Sequence, residues 1–242
     1  MRFDVVTLFP GMFQGPLDDG ILARARASGR LGVRVHDLRR FGVGPHRQVD
    51  DAPFGGGPGM VLKPEPFFDA VEWIRRTYPE TRERVVLLSP QGAPLDHDRA
   101  VALSGYDRLI LLCGRYEGLD ERVREGLVDE EIAVGEAVVS GGELPAMMLI
   151  DAVARHVEGV LGNTESSASE SFAEGLLDHP CYTRPAAYRD REVPPVLLSG
   201  DHGAIARWRE EARVRATREK RPELLNRSKS TSAHNERHRG TS

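Results

Sequence analysis

Over roughly the first two thirds of the chain, apolar residues recur in two alternating rhythms, which predict alternating strands and helices. Phe3, Val5, Val6, Leu8 and Phe9 make a β-rich run from Phe3 to Phe9. Ile21 to Ser28 reads as a helix closed by Gly29. Leu31 to Val35 alternates apolar and polar residues, as a half-buried strand does. From Glu65 to Arg76, Phe68, Val71, Glu72 and Arg75 fall at helical spacings, and Pro64 and Pro66 suit the first turn. Val85 to Leu88 and Leu109 to Leu112 are short, continuous apolar runs, the pattern of central parallel strands covered on both faces. Further helices are predicted over Asp96 to Leu103, Leu119 to Gly126 and about Pro145 to Val157, with a short strand over Ala137 to Val139. The alternation implies an α/β layer fold with a largely parallel sheet.

The rhythm stops after Gly162. Asn163 to Glu170 (NTESSASE) is small and polar, which predicts a flexible linker. Asp201 to Lys220 is helical in pattern, with Ile205, Trp208, Ala212 and Arg215 along it. Arg227 to Ser242 is polar, basic and nearly without apolar residues, which predicts a disordered tail. No apolar run approaches the ~20 residues that span a bilayer. Met1 to Pro10 lacks the charged-then-apolar pattern of a signal peptide, so a cytoplasmic protein is expected. The two cysteines, Cys113 and Cys181, are too few for a disulfide framework; Cys113 ends an apolar run and reads as a buried thiol.

Charge adds one asymmetry. The net charge is −4, yet Arg207 to Ser242 holds eleven Lys/Arg against five Asp/Glu, a net of +6 that leaves −10 on the rest. Either an anionic partner meets that end or a solvated charged helix carries a basic tail.

Candidate chemistry lies in glycine-bearing segments. Phe54 to Gly59 (FGGGPG) fails the Rossmann spacing and follows no strand, and no Walker A sequence occurs. Three later loops each follow a predicted strand: Ser89 to Gly92, Gly114 to Gly118, and Ser140 to Pro145. Ligands of open α/β sheets bind outside the carboxyl ends of the strands, and glycines let backbone approach them closely. Together the three loops predict one small-molecule pocket. By spacing alone, Asp151 and Arg155 form an ordinary surface pair on a helix.

Eight segments, in order, carry a resemblance to a known family: Asp50 to Met60 (DDAPFGGGPGM), Leu88 to Gly92 (LSPQG), Cys113 to Arg122 (CGRYEGLDER), Ser140 to Ala146 (SGGELPA), Ser171 to Leu177 (SFAEGLL), Tyr182 to Pro185 (YTRP), Val193 to Gly200 (VPPVLLSG) and Arg221 to Leu225 (RPELL). They resemble the bacterial tRNA (guanine-N1)-methyltransferases (TrmD) of the SPOUT superfamily, over nearly the whole chain from Phe3 to about Asn226. The resemblance implies a knotted SPOUT domain over 1–162 that binds S-adenosylmethionine (SAM), with a deep trefoil knot. It further implies a helical tRNA-binding domain over 175–226, after a linker over 163–174; the basic tail over 227–242 lies outside the resemblance. The implied protein is a homodimer with shared active sites, methylating N1 of guanosine at tRNA position 37, with Mg2+ as a candidate accessory ion. Rival readings are a knotted methyltransferase for another RNA site and a non-catalytic RNA-binding relative.

Carried over by position, SAM would be held by Leu87, Leu88, Ser89, Pro90, Gln91, Gly114, Tyr116, Glu117, Gly118, Val134, Gly135, Glu136, Ala137, Val138, Val139, Gly141, Gly142 and Pro145. RNA contacts would involve His46, Arg47, Gly59 and Arg184. Guanine N1 carries a proton at neutral pH, and a carboxylate that removes it makes N1 a nucleophile. Negative charge then gathers on O6, where an arginine stabilises it. The resemblance gives Arg155 that second role and gives the first to Glu170, where the family usually has Asp. The extra methylene shifts the carboxylate by ~1.5 Å.

Overall fold

Strands β1 (Arg2–Thr7), β2 (Gly32–Asp37), β5 (Glu83–Pro94), β6 (Arg108–Cys113) and β7 (Glu130–Ala133) form one sheet in the order β2-β1-β6-β5-β7. Every pairing in it is parallel. The computed structural model describes residues 1–161 and 170–225. It contains two compact units, Met1–Gly162 and Asn163–Ser242. The flexible linker expected over 163–174 falls within the described residues only from Glu170 onward, and the disordered tail expected over 227–242 lies outside them.

In the first unit the continuous apolar runs became central strands. All six residues of β6 are buried. Alternate side chains point to opposite faces of a strand. Phe3, Val5, Val86, Leu88, Leu109 and Leu111 therefore meet α1 (Gly20–Ala27), α3 (His97–Ser104) and α5 (Glu143–Ala154) on one side. Val6, Val85, Leu87, Ile110 and Leu112 meet α2 (Pro64–Thr77) and α4 (Glu121–Leu127) on the other. Helix α2 starts on Pro64, whose missing N–H costs nothing in a first turn, and buries Phe67, Ala70, Val71 and Ile74. A two-stranded antiparallel piece, β3 (Asp50–Asp51) and β4 (Val61–Leu62), brackets the Phe54 to Gly59 glycine cluster.

Two expectations are corrected. Ala137 to Val139 is not a strand: β7 ends at Ala133, and Val138 is 87% exposed with no neighbouring strand to cover it. Conversely, β5 does not stop at Leu88. Ile132 stands opposite both Leu88 and Ala93, so Ser89 to Gly92 leave the ladder and return to it. The excursion passes tight against β7: a Cβ on Gly92 would lie 2.4 Å from the backbone of Glu131 and Ile132. Only glycine permits that approach.

The second unit is built on α7 (His202–Lys220), whose N-cap Asp201 accepts from the N–H of Ala204. Before it come the short helix α6 (Pro195–Leu198) and a hairpin of β8 (Ala187–Tyr188) and β9 (Arg191–Glu192). Arg189 and Asp190 turn the hairpin with φ of 48° and 60°, the positive pair that a two-residue turn requires.

Candidate active site

The loops chosen from the sequence meet at the excursion within β5 and beyond the carboxyl ends of β6 and β7, around a cavity of about 300 Å3. Leu87, Leu88, Ser89, Pro90 and Gln91 line it from β5 and its excursion. Gly114, Tyr116, Glu117 and Gly118 line it from the loop after β6. Val134, Gly135, Ala137, Val138, Val139, Gly141, Gly142 and Pro145 complete the wall after β7. Glu136 is the exception: the bend there leaves its side chain exposed, outside the lining.

The wall is bare backbone in places and tightly packed in others. A Cβ on Gly114, Gly118 or Gly135 would meet no heavy atom within 4 Å. A Cβ on Gly142 would lie 2.7 Å from Cα of Cys113, and the Gly142 N–H donates to the Gly114 carbonyl at 2.9 Å. Thus Gly142 locks two loops together, while the other glycines open backbone amides and carbonyls to a ligand. Tyr116 holds a φ of 60°, sparsely populated for an aromatic residue, and the residue is 54% exposed beside the cavity.

Arg124 also lines the cavity, from α4, with Nη1 donating to Oε1 of Gln91 at 2.5 Å and lying 3.2 Å from Glu131. A search of loops passes over it, because one arginine on a helix looks like a surface charge. Arg115, Leu119 and Ser140 join the lining as well. Behind the wall, the Cys113 thiol is buried. Burial pushes its pKa well above the ordinary value of 9.0; the Glu143 charge adds to the rise and Arg115 opposes it.

The glycine-rich loop is fastened to this site. Glu117 N–H donates to the Met60 carbonyl at 3.1 Å, and Leu62 N–H to the Gly118 carbonyl at 3.0 Å. Gly59, at a φ of 85°, lies against the Glu117 side chain: a Cβ there would fall 2.5 Å from Oε1 of Glu117 and displace that carboxylate. His46 and Arg47 are exposed on the turn that precedes β3.

The two residues selected for chemistry belong to different units. Arg155 caps the carboxyl end of α5 in the first and is half-buried. Glu170 lies in the second, in a segment bound to α7. There Leu177 N–H donates to Thr217 Oγ1 at 2.8 Å, and Arg213 pairs with Glu174 at 2.7 Å. Close by, Phe172 adopts a φ of 79°, and Ser171 Oγ accepts from Asp178 N–H at 2.9 Å. Arg184 is exposed elsewhere in the second unit. Among the described residues no group of three or more His, Cys, Asp or Glu converges as a metal set, so no ligands are assigned to Mg2+.

Comparison with known proteins gives a concordant result. The family model described as tRNA (guanine-1)-methyltransferase matches residues 1–227. A tRNA (guanine-N(1)-)-methyltransferase of Heliobacterium modesticaldum is 53% identical over 228 residues, covering 93% of this chain and 84% of its own. One of Geobacter sulfurreducens is 48% identical over 233 residues, covering 96% and 94%. One of Chloroflexus aurantiacus is 50% identical over 228 residues, covering 94% and 89%. With a match over nearly its full length and about half of the aligned positions shared, this chain belongs to the tRNA (guanine-1)-methyltransferase family.

Proposed function

We propose that this chain methylates N1 of the guanosine at tRNA position 37, using SAM bound in the cavity between the β5 excursion and the loops after β6 and β7. One observation carries the reading: the three loops that hold the family's motifs converge there on a single cavity. The residues suit the donor. Open backbone at Gly114 and Gly135 offers amides and carbonyls to an adenine edge, and Leu87, Leu88 and Val138 offer apolar cover for its ring. Glu117 places a carboxylate in the lining, where a sulfonium charge is favoured. Bound SAM supplies an electrophilic methyl group. The trefoil knot belongs to the same reading, supported by the tight passage of Gly92 against β7 and of Gly142 against Cys113.

The chain's own residues do the rest. Glu170 takes the N1 proton as the N1–methyl bond forms and the methyl–sulfur bond breaks, the neutral thioether S-adenosylhomocysteine leaving. Arg155 donates hydrogen bonds to O6 as negative charge develops there. The helical second unit and the exposed Arg184, His46 and Arg47 contact tRNA phosphates, with Gly59 presenting backbone beside them. A second copy of the chain completes the site. Leu144 and Met148, one turn apart on α5, are 49% and 54% exposed and give it apolar surface to cover. The reaction is cytoplasmic, where its RNA is found; among the described residues no helix is long and apolar enough to cross a membrane.

The test is chemical. The chain is incubated with SAM carrying a tritiated methyl group and an unmodified tRNA transcript, and the RNA is digested to nucleosides. The label is expected in N1-methylguanosine. Label in any other nucleoside, or none, would overturn the reading.

A further inference from the structure

Glu143 is a wholly buried carboxylate that the mechanism does not use. It sits in the first turn of α5, outside the cavity lining. Both of its oxygens are engaged. Thr7, at the end of β1, donates from Oγ1 to Oε1 at 2.7 Å. Arg115 donates from Nε to Oε2 at 2.9 Å, and its Nη2 lies 2.9 Å from the same carboxylate. The arginine then reaches further. Its Nη1 donates to the Ser140 carbonyl at 3.0 Å, and its guanidinium stands 4.5 Å from the centre of the Phe9 ring.

Arg115 belongs to one loop of the cavity and Ser140 to another. A single guanidinium, oriented by one buried carboxylate, therefore fixes the separation of two walls. The packing leaves no slack, since a Cβ on Gly141 would fall 2.2 Å from Nε of Arg115. A carboxylate held out of water is tolerable only when paired and hydrogen-bonded. The pair is intact here, and its geometry is set from the protein core.

We propose that Glu143 is a positioning residue for the methyl donor: by holding Arg115 it keeps the Gly114 to Gly118 and Ser140 to Gly142 loops at the spacing SAM requires, and so sets SAM affinity without touching SAM. This rests on the reading that the cavity takes SAM. The effect is specific to donor binding; the chemical step and tRNA recognition do not depend on it.

The test is Glu143→Gln in the full-length chain, which keeps the shape and an acceptor for Thr7 but removes the charge that orients Arg115. Calorimetric titration with SAM is expected to give a Kd raised about tenfold, with KM for SAM raised in parallel. At saturating SAM, kcat and KM for tRNA stay within about twofold of the unaltered chain. Adding Arg115→Gln to Glu143→Gln is expected to weaken SAM binding no further than the weaker single variant, because both break one link. A folded Glu143→Gln chain with unchanged SAM affinity, or one with lowered kcat at unchanged Kd, would overturn the proposal. If that variant does not fold, Thr7→Val removes the hydroxyl that donates to Glu143 and accepts from Phe9 N–H at 2.9 Å, while leaving the Glu143 charge in place; it is expected to raise Kd less, and an unchanged Kd would again overturn the proposal. An unaltered chain that binds no SAM would overturn both this inference and the reading beneath it.

Discussion

Glu170 and Arg155 illustrate what a single residue reveals by itself. By spacing Glu170 is one charge in a polar stretch and Arg155 an ordinary helix-surface pair with Asp151; the resemblance alone gives them roles. If Glu170 is the base, Glu170→Gln lowers kcat by about 10²–10⁴-fold, because general-base catalysis contributes that much. SAM affinity is expected to stay unchanged, because the proton that Glu170 removes is on the guanine and not on SAM. Rapid-quench turnover and SAM titration on one preparation check both halves, and near-normal turnover would remove Glu170 from the mechanism. The Ser89 to Gly92 and Gly114 to Gly118 loops were legible in the sequence because each follows a continuous apolar run, where an α/β sheet receives ligands, whereas Leu87, Leu88 and Val134 to Val139 were named by the family resemblance alone. Glu136 fails that logic because a side chain within a loop can face either way, and the bend here exposes it. Glu143 was not legible as an anchor. Its partners Thr7 and Arg115 stand 136 and 28 residues away in sequence, and no local pattern announces such distant hydrogen bonds.

At the scale of elements, the continuous apolar runs of β5 and β6 were read correctly because strands covered on both faces have no polar alternation to confuse. The apolar residues at Ala137 to Val139 misled, because a run needs a neighbouring strand to become one and Val138 has none. The excursion at Ser89 to Gly92 was visible only as a loop, since its return to β7 is a tertiary event. That return makes a sharp test. Gly92→Ala places a methyl group into the Glu131 and Ile132 backbone, 2.4 Å away, and forces β5 and β7 apart. Overpacking of this kind costs ~1–3 kcal/mol. Gly92→Ala is therefore expected to lower the midpoint of thermal unfolding and weaken SAM binding together, measured by calorimetry. An unaltered midpoint would mean that β5 and β7 separate around the methyl group at no cost.

For the whole molecule, the parallel sheet and its two apolar layers place the proposed donor cavity in the first unit, and the second unit carries the proposed base on a segment tied to α7. The acidic body and basic carboxyl-terminal region seen in the sequence fit such a division of labour, with phosphate attraction concentrated at one end. The central claim is that this arrangement delivers a methyl group to one nucleotide. N1 methylation blocks the Watson–Crick edge of guanine, so primer extension on the treated tRNA stops at the modified base. The decisive measurement compares two transcripts that differ only at position 37, guanosine in one and adenosine in the other. The expected result is a SAM-dependent stop at position 37 of the first and none in the second. A stop at another guanosine, or equal modification of both transcripts, would contradict the account.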